Sequence, residues 1–189
     1  PTLSGFMAEL GLIPAGGRWG TIHRLRDQMT RLFSCVICYG YGDDSTDQGR
    51  NIVIAEEYKT WWDPKAPDQA VLWGSYIELG QKFFNDVIDK PVPVDFRALR
   101  ALKRSPMALD IYAWLTYRMS YLKNKQIIPW GALHLQFGSE YTRLRKFKEK
   151  FVTHLKAVSL IYPEAKILPL DIGLELRPSK PHVPKLTKN

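Results

Sequence analysis

The segment from Tyr141 to Val158 constrains the fold most, because its apolar residues recur every three or four positions. Such spacing places them on one face of an α-helix, and a helix with one apolar face packs that face on a core. We predict that this helix begins with Ser139 as its N-cap, directly after Gly138. The residues predicted to face the core are Tyr141, Leu144, Phe147, Phe151, Leu155 and Val158.

The remaining surface of this helix is positively charged. Before it, residues 129–137 are predicted to form a short helix with proline at its first position. A short helix, a tight turn and a basic helix is the layout of a helix-turn-helix. Cations on an isolated surface helix often bind no ligand. Features elsewhere in the chain therefore have to indicate whether these cations bind one. They are Arg143, Lys146 and Lys150 on one flank and Arg145 and Lys156 on the other.

The charge of the 189-residue chain is distributed unevenly. Residues 1–94 hold 9 Lys and Arg against 12 Asp and Glu, whereas residues 95–189 hold 18 against 7. The net charges are therefore −3 and +11, which together make the +8 of the whole chain. Clustered cations attract phosphates over long range and release counterions on contact, so the second half is predicted to bind a polyanion. Ribosomes and anionic membrane surfaces fit the charge alone as well as DNA does.

The first half is predicted to form two helices followed by strands. Residues 2–12 and 18–33 have helical apolar spacing. Strand-like runs follow at 34–39, 51–58 and 69–77, and a short helix at 81–88. This is the element order expected of a winged-helix domain. On the second helix the predicted inward residues are Trp19, Ile22, Leu25, Met29 and Leu32, and the cationic surface residues include Arg18, His23, Arg24 and Arg26.

The second half is predicted to repeat this order. Asp95 caps a helix over 96–103, and Ser105 caps a helix to residue 122 that is apolar on most sides and forms the buried centre. After the basic helix, two strands at 166–170 and 174–177 enclose a turn at Asp171–Gly173, which we interpret as a second wing.

These elements predict an α+β, mainly helical fold with tandem winged-helix domains, each a helix-turn-helix plus a β-hairpin wing. The first domain is assigned to 1–92 and the second, DNA-binding domain to 93–178, because the proline-rich segment 90–94 coincides with the change in charge. Residues 179–189 are predicted to form a flexible basic tail. The chain does not begin with Met, so we expect a processed chain or a fragment of a longer one.

No residue pattern predicts an active site, a metal site or a cofactor site. Cys35 and Cys38 have CxxC spacing without a second pair, and their strand-like context favours core packing. Asp43, Asp44 and Asp47 fall in a polar turn, where Asp is common for turn geometry alone. The four histidines are scattered, and there is no P-loop. We therefore predict a protein that is not an enzyme and needs no cofactor.

Two groups of aromatic residues receive different predictions. Trp61 and Trp62 are adjacent in a polar loop and are interpreted as a partner interface. The helical spacing of Tyr112, Trp114, Tyr117 and Tyr121 predicts core packing rather than base stacking. No run is long and apolar enough to cross a bilayer, no signal peptide is visible, and two cysteines fit a reducing cytosol.

The cations Arg143, Lys146 and Lys150 lie on the second helix of the predicted helix-turn-helix, within the half of net charge +11. We therefore interpret them as a DNA contact. The sequence does not separate guanine edges from phosphates as their targets. The first domain offers a second contact surface or an oligomer interface. The predicted DNA-binding residues are Ser139, Thr142, Arg143, Arg145, Lys146, Lys150, Arg177 and Lys180, with Arg18, His23, Arg24 and Arg26 from the first domain.

Four long stretches are more specific than any short motif: GGRWGTIHRLRDQMTRLFS (16–34), LKRSPMALDIYAWLTYRM (102–119), IPWGALHLQFGSEY (128–141) and LRPSKPHV (176–183). They resemble the plasmid-encoded RepA replication initiator family. The resemblance implies a protein of the bacterial cytoplasm that binds direct repeats of double-stranded DNA at a plasmid origin through winged helices. It further implies opening of an AT-rich region, recruitment of a host replication initiator and helicase, and the loss of an N-terminal piece before Leu3 that is part of the first winged helix. A homodimer or other oligomer is expected as an alternative to a monomer.

Two other functions are alternatives to origin binding. A winged-helix transcriptional repressor would have the same fold, and both roles coexist if the protein represses its own promoter. A nicking nuclease would need a tyrosine or metal-bound carboxylates near histidines, and the sequence has no such cluster. Of these three functions, we expect that the protein is a replication initiator.

Overall fold

The computed structural model describes residues 2–42, 47–60, 65–68, 75–89, 91–138 and 141–184. The chain divides into two compact units, Pro1–Pro91 and Val92–Asn189. In the described part the fold is α+β, with helices and small antiparallel sheets. None of the helices in this part combines the length and the apolar character needed to span a membrane.

Unit 1 contains three helices and two separate two-stranded sheets within the described ranges. A small core joins the first two helices through Leu3, Met7, Ile22 and Leu25. The elements of unit 1 are α1 (Leu3–Glu9), α2 (Thr21–Phe33), β1 (Val36–Gly42), β2 (Asp47–Val53), β3 (Ala55–Lys59), β4 (Tyr76–Leu79) and α3 (Gln81–Asp89).

The second helix of unit 1 starts later than the sequence predicts. Thr21 Oγ1 donates to Ile13 O and accepts from Ala15 N at 2.9 Å, so the incoming loop is tied to the first helical turn. As a result Trp19 precedes the helix and is 82% exposed, and its predicted place in the core is wrong. Leu32, in the last turn, is also exposed, because α1 covers only the first part of the apolar stripe.

Two strand predictions in unit 1 also change. The predicted strand 51–58 is divided at Ile54 into β2, which pairs with β1, and β3, which pairs with β4. Cys38 lies in β1, which pairs with one strand among the described residues, and Cys35 directly precedes β1. Both are exposed free thiols, so their predicted core packing is wrong. Asp43, Asp44, Trp61 and Trp62 lie outside the described residues, as do positions 69–74 of the third predicted strand.

Unit 2 contains a larger core built around its longest apolar helix. Ser105 caps that helix by accepting from Ala108 N at 3.2 Å, and Asp95 caps the preceding helix by accepting from Arg97 N at 2.7 Å, as predicted. The elements are α4 (Phe96–Leu102), α5 (Pro106–Tyr121), β5 (Gln126–Pro129), α6 (Trp130–Phe137), α7 (Leu144–Ile161), β6 (Lys166–Pro169) and β7 (Gly173–Arg177).

The sheet of unit 2 has three strands in the order β5-β7-β6, all antiparallel. β6 and β7 lie within one residue of the predicted hairpin. β5 was not predicted, because its four residues form a strand only through pairing with β7, which lies far along the chain. Leu174 and Leu176 of β7 are fully buried and join the sheet to the helices.

The basic helix α7 begins at Leu144, so the predicted start at Ser139 is wrong. Ser139 itself lies outside the described residues. Arg143 occupies the N-cap position with an extended backbone and no capping side chain, and Phe147 N donates to its carbonyl at 3.1 Å. Tyr141 O accepts from His134 Nε2 at 2.7 Å, which holds residue 141 in the turn between α6 and α7 while its ring still packs on Phe147.

Residues 179–184, which the sequence groups with a flexible tail, pack on unit 2. Tyr162 Oη donates to Lys180 O at 2.6 Å, and His182 Nδ1 lies 2.7 Å from Tyr112 Oη. Burial raises the pKa of both tyrosines, so both hydroxyls stay protonated at neutral pH. Residues 185–189 lie outside the described part of the chain.

Candidate nucleic-acid interface

The inward face of α7 is anchored by four buried residues. Phe147, Phe151 and Val158 have no exposed surface, and Leu155 is 3% exposed. Phe151 has ring contacts with Phe147 and with Trp130 and Phe137 of α6, at centroid distances of 5.4–5.9 Å. The side chains on the opposite face are therefore presented from a rigid, well-packed support.

The outward face of α7 carries the predicted cations. Lys146 and Lys150 are exposed, and neither has an ionic partner among the described residues. Arg145 Nε lies 3.3 Å from Glu149 Oε1, but their side chains are 91% and 62% exposed. Such an exposed pair contributes only about 0.3–0.5 kcal/mol, so Arg145 is able to exchange Glu149 for another anion. This face is thus available to a polyanion.

Lys148, which no sequence pattern singles out, connects α7 to the turn of the β6–β7 hairpin. Its Nζ lies 3.7 Å from Asp171 Oδ1 and 5.2 Å above the ring of Trp130. Trp130 Nε1 in turn donates to Leu170 O at 2.8 Å. These contacts hold the turn beside the first half of α7, and no local signal in the sequence could have shown them.

A second contact brings the turn between α4 and α5 to α7. Ser105 Oγ lies 2.9 Å from His154 Nδ1, one helical turn beyond Lys150. The neighbouring Arg104 is exposed and has no ionic partner among the described residues. Arg104 therefore extends the cationic surface beyond α7, and sequence reasoning missed it because the contact spans 49 residues.

The structure brings only some of the predicted DNA-binding residues together. Arg143, Arg145, Lys146 and Lys150 lie on α7 or at its N-cap, and Thr142 is exposed in the preceding turn. The remaining predicted residues of unit 2 lie elsewhere: Arg177 is at the end of β7 away from the hairpin turn, and Lys180 is on the packed segment 179–184.

The predicted contact residues of unit 1 form a separate group. Arg18 precedes α2, and its guanidinium lies 5.3 Å from the ring centre of Trp19. Arg24 and Arg26 are exposed on α2, and His23 is half-buried. These residues thus offer a smaller cationic surface, which belongs to unit 1 alone.

The described residues contain no group of three or more His, Cys, Asp or Glu side chains placed to hold a metal ion. Near the start of unit 2, hydrogen bonds from Arg97 hold the pKa of Asp95 at about 2, below its usual 3.8. That carboxylate is therefore charged at neutral pH and serves as a helix cap.

The sequence model of the family described as "Plasmid encoded RepA protein" matches residues 1–132. The chain belongs to this RepA family. Membership confirms the resemblance seen in the sequence and assigns the RepA-family chain a role in plasmid replication. No curated protein and no solved structure matches it significantly. The match covers unit 1 and the part of unit 2 up to the start of α6. Because the match does not reach α7, the candidate interface on α7 is supported by its geometry alone.

Proposed function

We propose that this RepA-family protein is a replication initiator that binds repeated duplex DNA at a plasmid origin through α7 of unit 2. The observation that carries the proposal is the cationic outward face of α7 on a fully buried support. Arginine and lysine on such a helix reach guanine edges in the major groove or the phosphates beside it.

Unit 2 would act as a winged-helix domain. Two features of unit 2 support this proposal. The β6–β7 turn lies beside α7, and the elements follow one another in the winged-helix order α5, β5, α6, α7, β6 and β7. With α7 in the major groove, the Asp171–Gly173 turn would flank the neighbouring backbone or minor groove. The contacts of Lys148 and Trp130 would set the angle between helix and wing.

The test is binding of the full chain to labelled origin repeats and to scrambled duplex, followed by fluorescence anisotropy across a salt series. A variant with Arg143→Glu, Lys146→Glu and Lys150→Glu reverses the charge of the candidate face. A matched control, Lys59→Glu with Lys82→Glu and Lys123→Glu, changes the net charge equally at other exposed positions.

Selective binding that the α7 variant loses and the control keeps would support the proposal. Equal, steeply salt-dependent binding to both duplexes would refute sequence recognition by α7, because only the electrostatic attraction would remain. Incubation with supercoiled plasmid and Mg²⁺ tests the proposed absence of enzymatic activity, which nicked product would refute. Replication of an origin plasmid supplied with the protein in trans separates an initiator from a repressor, which would only silence a promoter.

A further inference from the structure

The outer face of the three-stranded sheet in unit 2 carries a buried carboxylate. Ile127 of β5 and Leu168 of β6 are the cross-strand partners of Glu175 in β7. Since neighbouring residues of a strand point to opposite faces, Glu175 lies on the face away from the core residues Leu174 and Leu176. It is nevertheless only 5% exposed.

Two cations compensate the charge of Glu175. Arg177 Nε donates to Glu175 Oε1 at 2.5 Å, and Lys125 Nζ lies 3.9 Å from Oε2. The side chains of these cations stay 58% and 60% exposed, so each keeps donors that face solvent. Lys166, opposite Arg177 in the strand register, is exposed too. Glu175 therefore organises a cationic rim at one end of the sheet.

An aliphatic surface adjoins this rim. Ile127 and Leu168 are 40% and 49% exposed, although both are large apolar residues. A hollow of about 220 Å³ lies beside Leu168, lined by Lys166, Ile167, Leu168, Glu175 and Arg177. We call the exposed face formed by Ile127, Leu168, Lys125, Lys166 and Arg177 the sheet groove.

We propose that the sheet groove docks an acidic peptide segment of a partner protein, with an aliphatic side chain on Leu168 and Ile127 and neighbouring carboxylates on the cationic rim. The free terminal nitrogens of Arg177 suit a carboxylate. A DNA backbone fits less well, because it offers nothing apolar to Leu168 and Ile127. The cationic rim at Arg177 and Lys166 is also separated from the β6–β7 turn by the length of β7, about 13 Å. It is independent of the DNA contact on α7.

The test uses the isotope-labelled full chain and a fluorescent peptide of alternating Glu and Leu. A poly-Glu peptide of equal length tests the apolar part of the contact, and a random duplex tests DNA. Lys166→Gln with Leu168→Gln removes one cation and one leucine from the groove while leaving the Glu175–Arg177 pair intact. Lys156→Gln with Leu160→Gln is the matched control, since both residues are exposed on α7.

We expect the Glu-Leu peptide to shift amide resonances of β6 and β7 and to bind the groove variant at least about tenfold more weakly, or about 1.4 kcal/mol. The control variant should bind as the unchanged protein does. Absent binding, equal loss in both variants, or equally tight binding of poly-Glu would overturn the proposal. So would perturbation of the same resonances by the duplex, because the groove would then belong to the DNA interface.

Discussion

Replacing Trp130 by Phe should release the β6–β7 turn from α7 while leaving an aromatic ring in the core. The indole Nε1 donates to Leu170 O at 2.8 Å, and Phe has no donor at that position. A lost hydrogen bond costs about 0.5–1.5 kcal/mol, and more if the acceptor is left without water. Leu170 is half-buried, so water reaches its carbonyl and the lower range applies. The smaller ring adds a packing loss, and we expect a total of about 2 kcal/mol.

Trp114→Phe is the matched control. Trp114 is half-buried against Phe137, and its indole nitrogen has no hydrogen-bond partner among the described residues. The control therefore reports the cost of the smaller ring alone. The difference between the two variants, about 1 kcal/mol, contains the bond to Leu170 together with the larger packing loss at Trp130, which is 4% exposed.

Urea unfolding and native-state hydrogen exchange measure these effects. In Trp130→Phe we expect a lower midpoint at an unchanged m-value, together with faster exchange of the Leu170 amide, which donates to Gly173 O at 2.8 Å. Equal losses of stability in both variants, with unchanged exchange at Leu170, would show that the indole does not hold the turn.

Three further predictions concern DNA binding, packing and pH. Lys146→Ala with Lys150→Ala should reduce the slope of log K against log salt by about 1.8 if both contact phosphates, and an unchanged slope would exclude those contacts. Phe151→Ala should cost about 3–5 kcal/mol in urea unfolding, because the residue is fully buried, whereas Leu160→Ala, 85% exposed, should cost less than about 0.5. Because the pKa of Asp95 is lower in the folded state, its charge stabilises the fold above pH 3.8, and this contribution is lost as the pH falls towards about 2. The stability advantage over Asp95→Asn should shrink across that interval, and a constant difference would contradict the assignment.

Predictions that rest on contacts within one helical turn agree with the structure. The caps at Asp95 and Ser105 and the buried stripe of α7 depend on residues three or four positions apart, which the sequence displays directly. The same spacing is wrong for Leu144, Tyr117 and Tyr121, whose side chains are exposed. It also places Trp19 and Tyr141 in helices that begin after them, although Tyr141 still packs on Phe147. The ties from Thr21 to the preceding loop and from His134 to residue 141 keep these two residues out of their helices.

The candidate interface was predictable only in its central part. The cations of α7 follow from periodicity and charge. Lys148 joins them through its contact with Asp171, and Arg104 through the contact of the adjacent Ser105 with His154 of α7. Arg177 was predicted to join the DNA-binding residues on α7, but it lies apart from them at the end of β7. Its partner Glu175 holds it at the end of the sheet opposite the hairpin turn.

The sequence by itself determined the helices of unit 2 and the positive charge of the second half of the chain, because local spacing and composition carry them. It also determined the family, because long stretches of residues match it. Only the tertiary structure decided the pairing of β5 with β7, the exposure of Cys35 and Cys38, and the grouping of the surface cations. These depend on residues far apart along the chain, whose approach is set by the packing of whole elements.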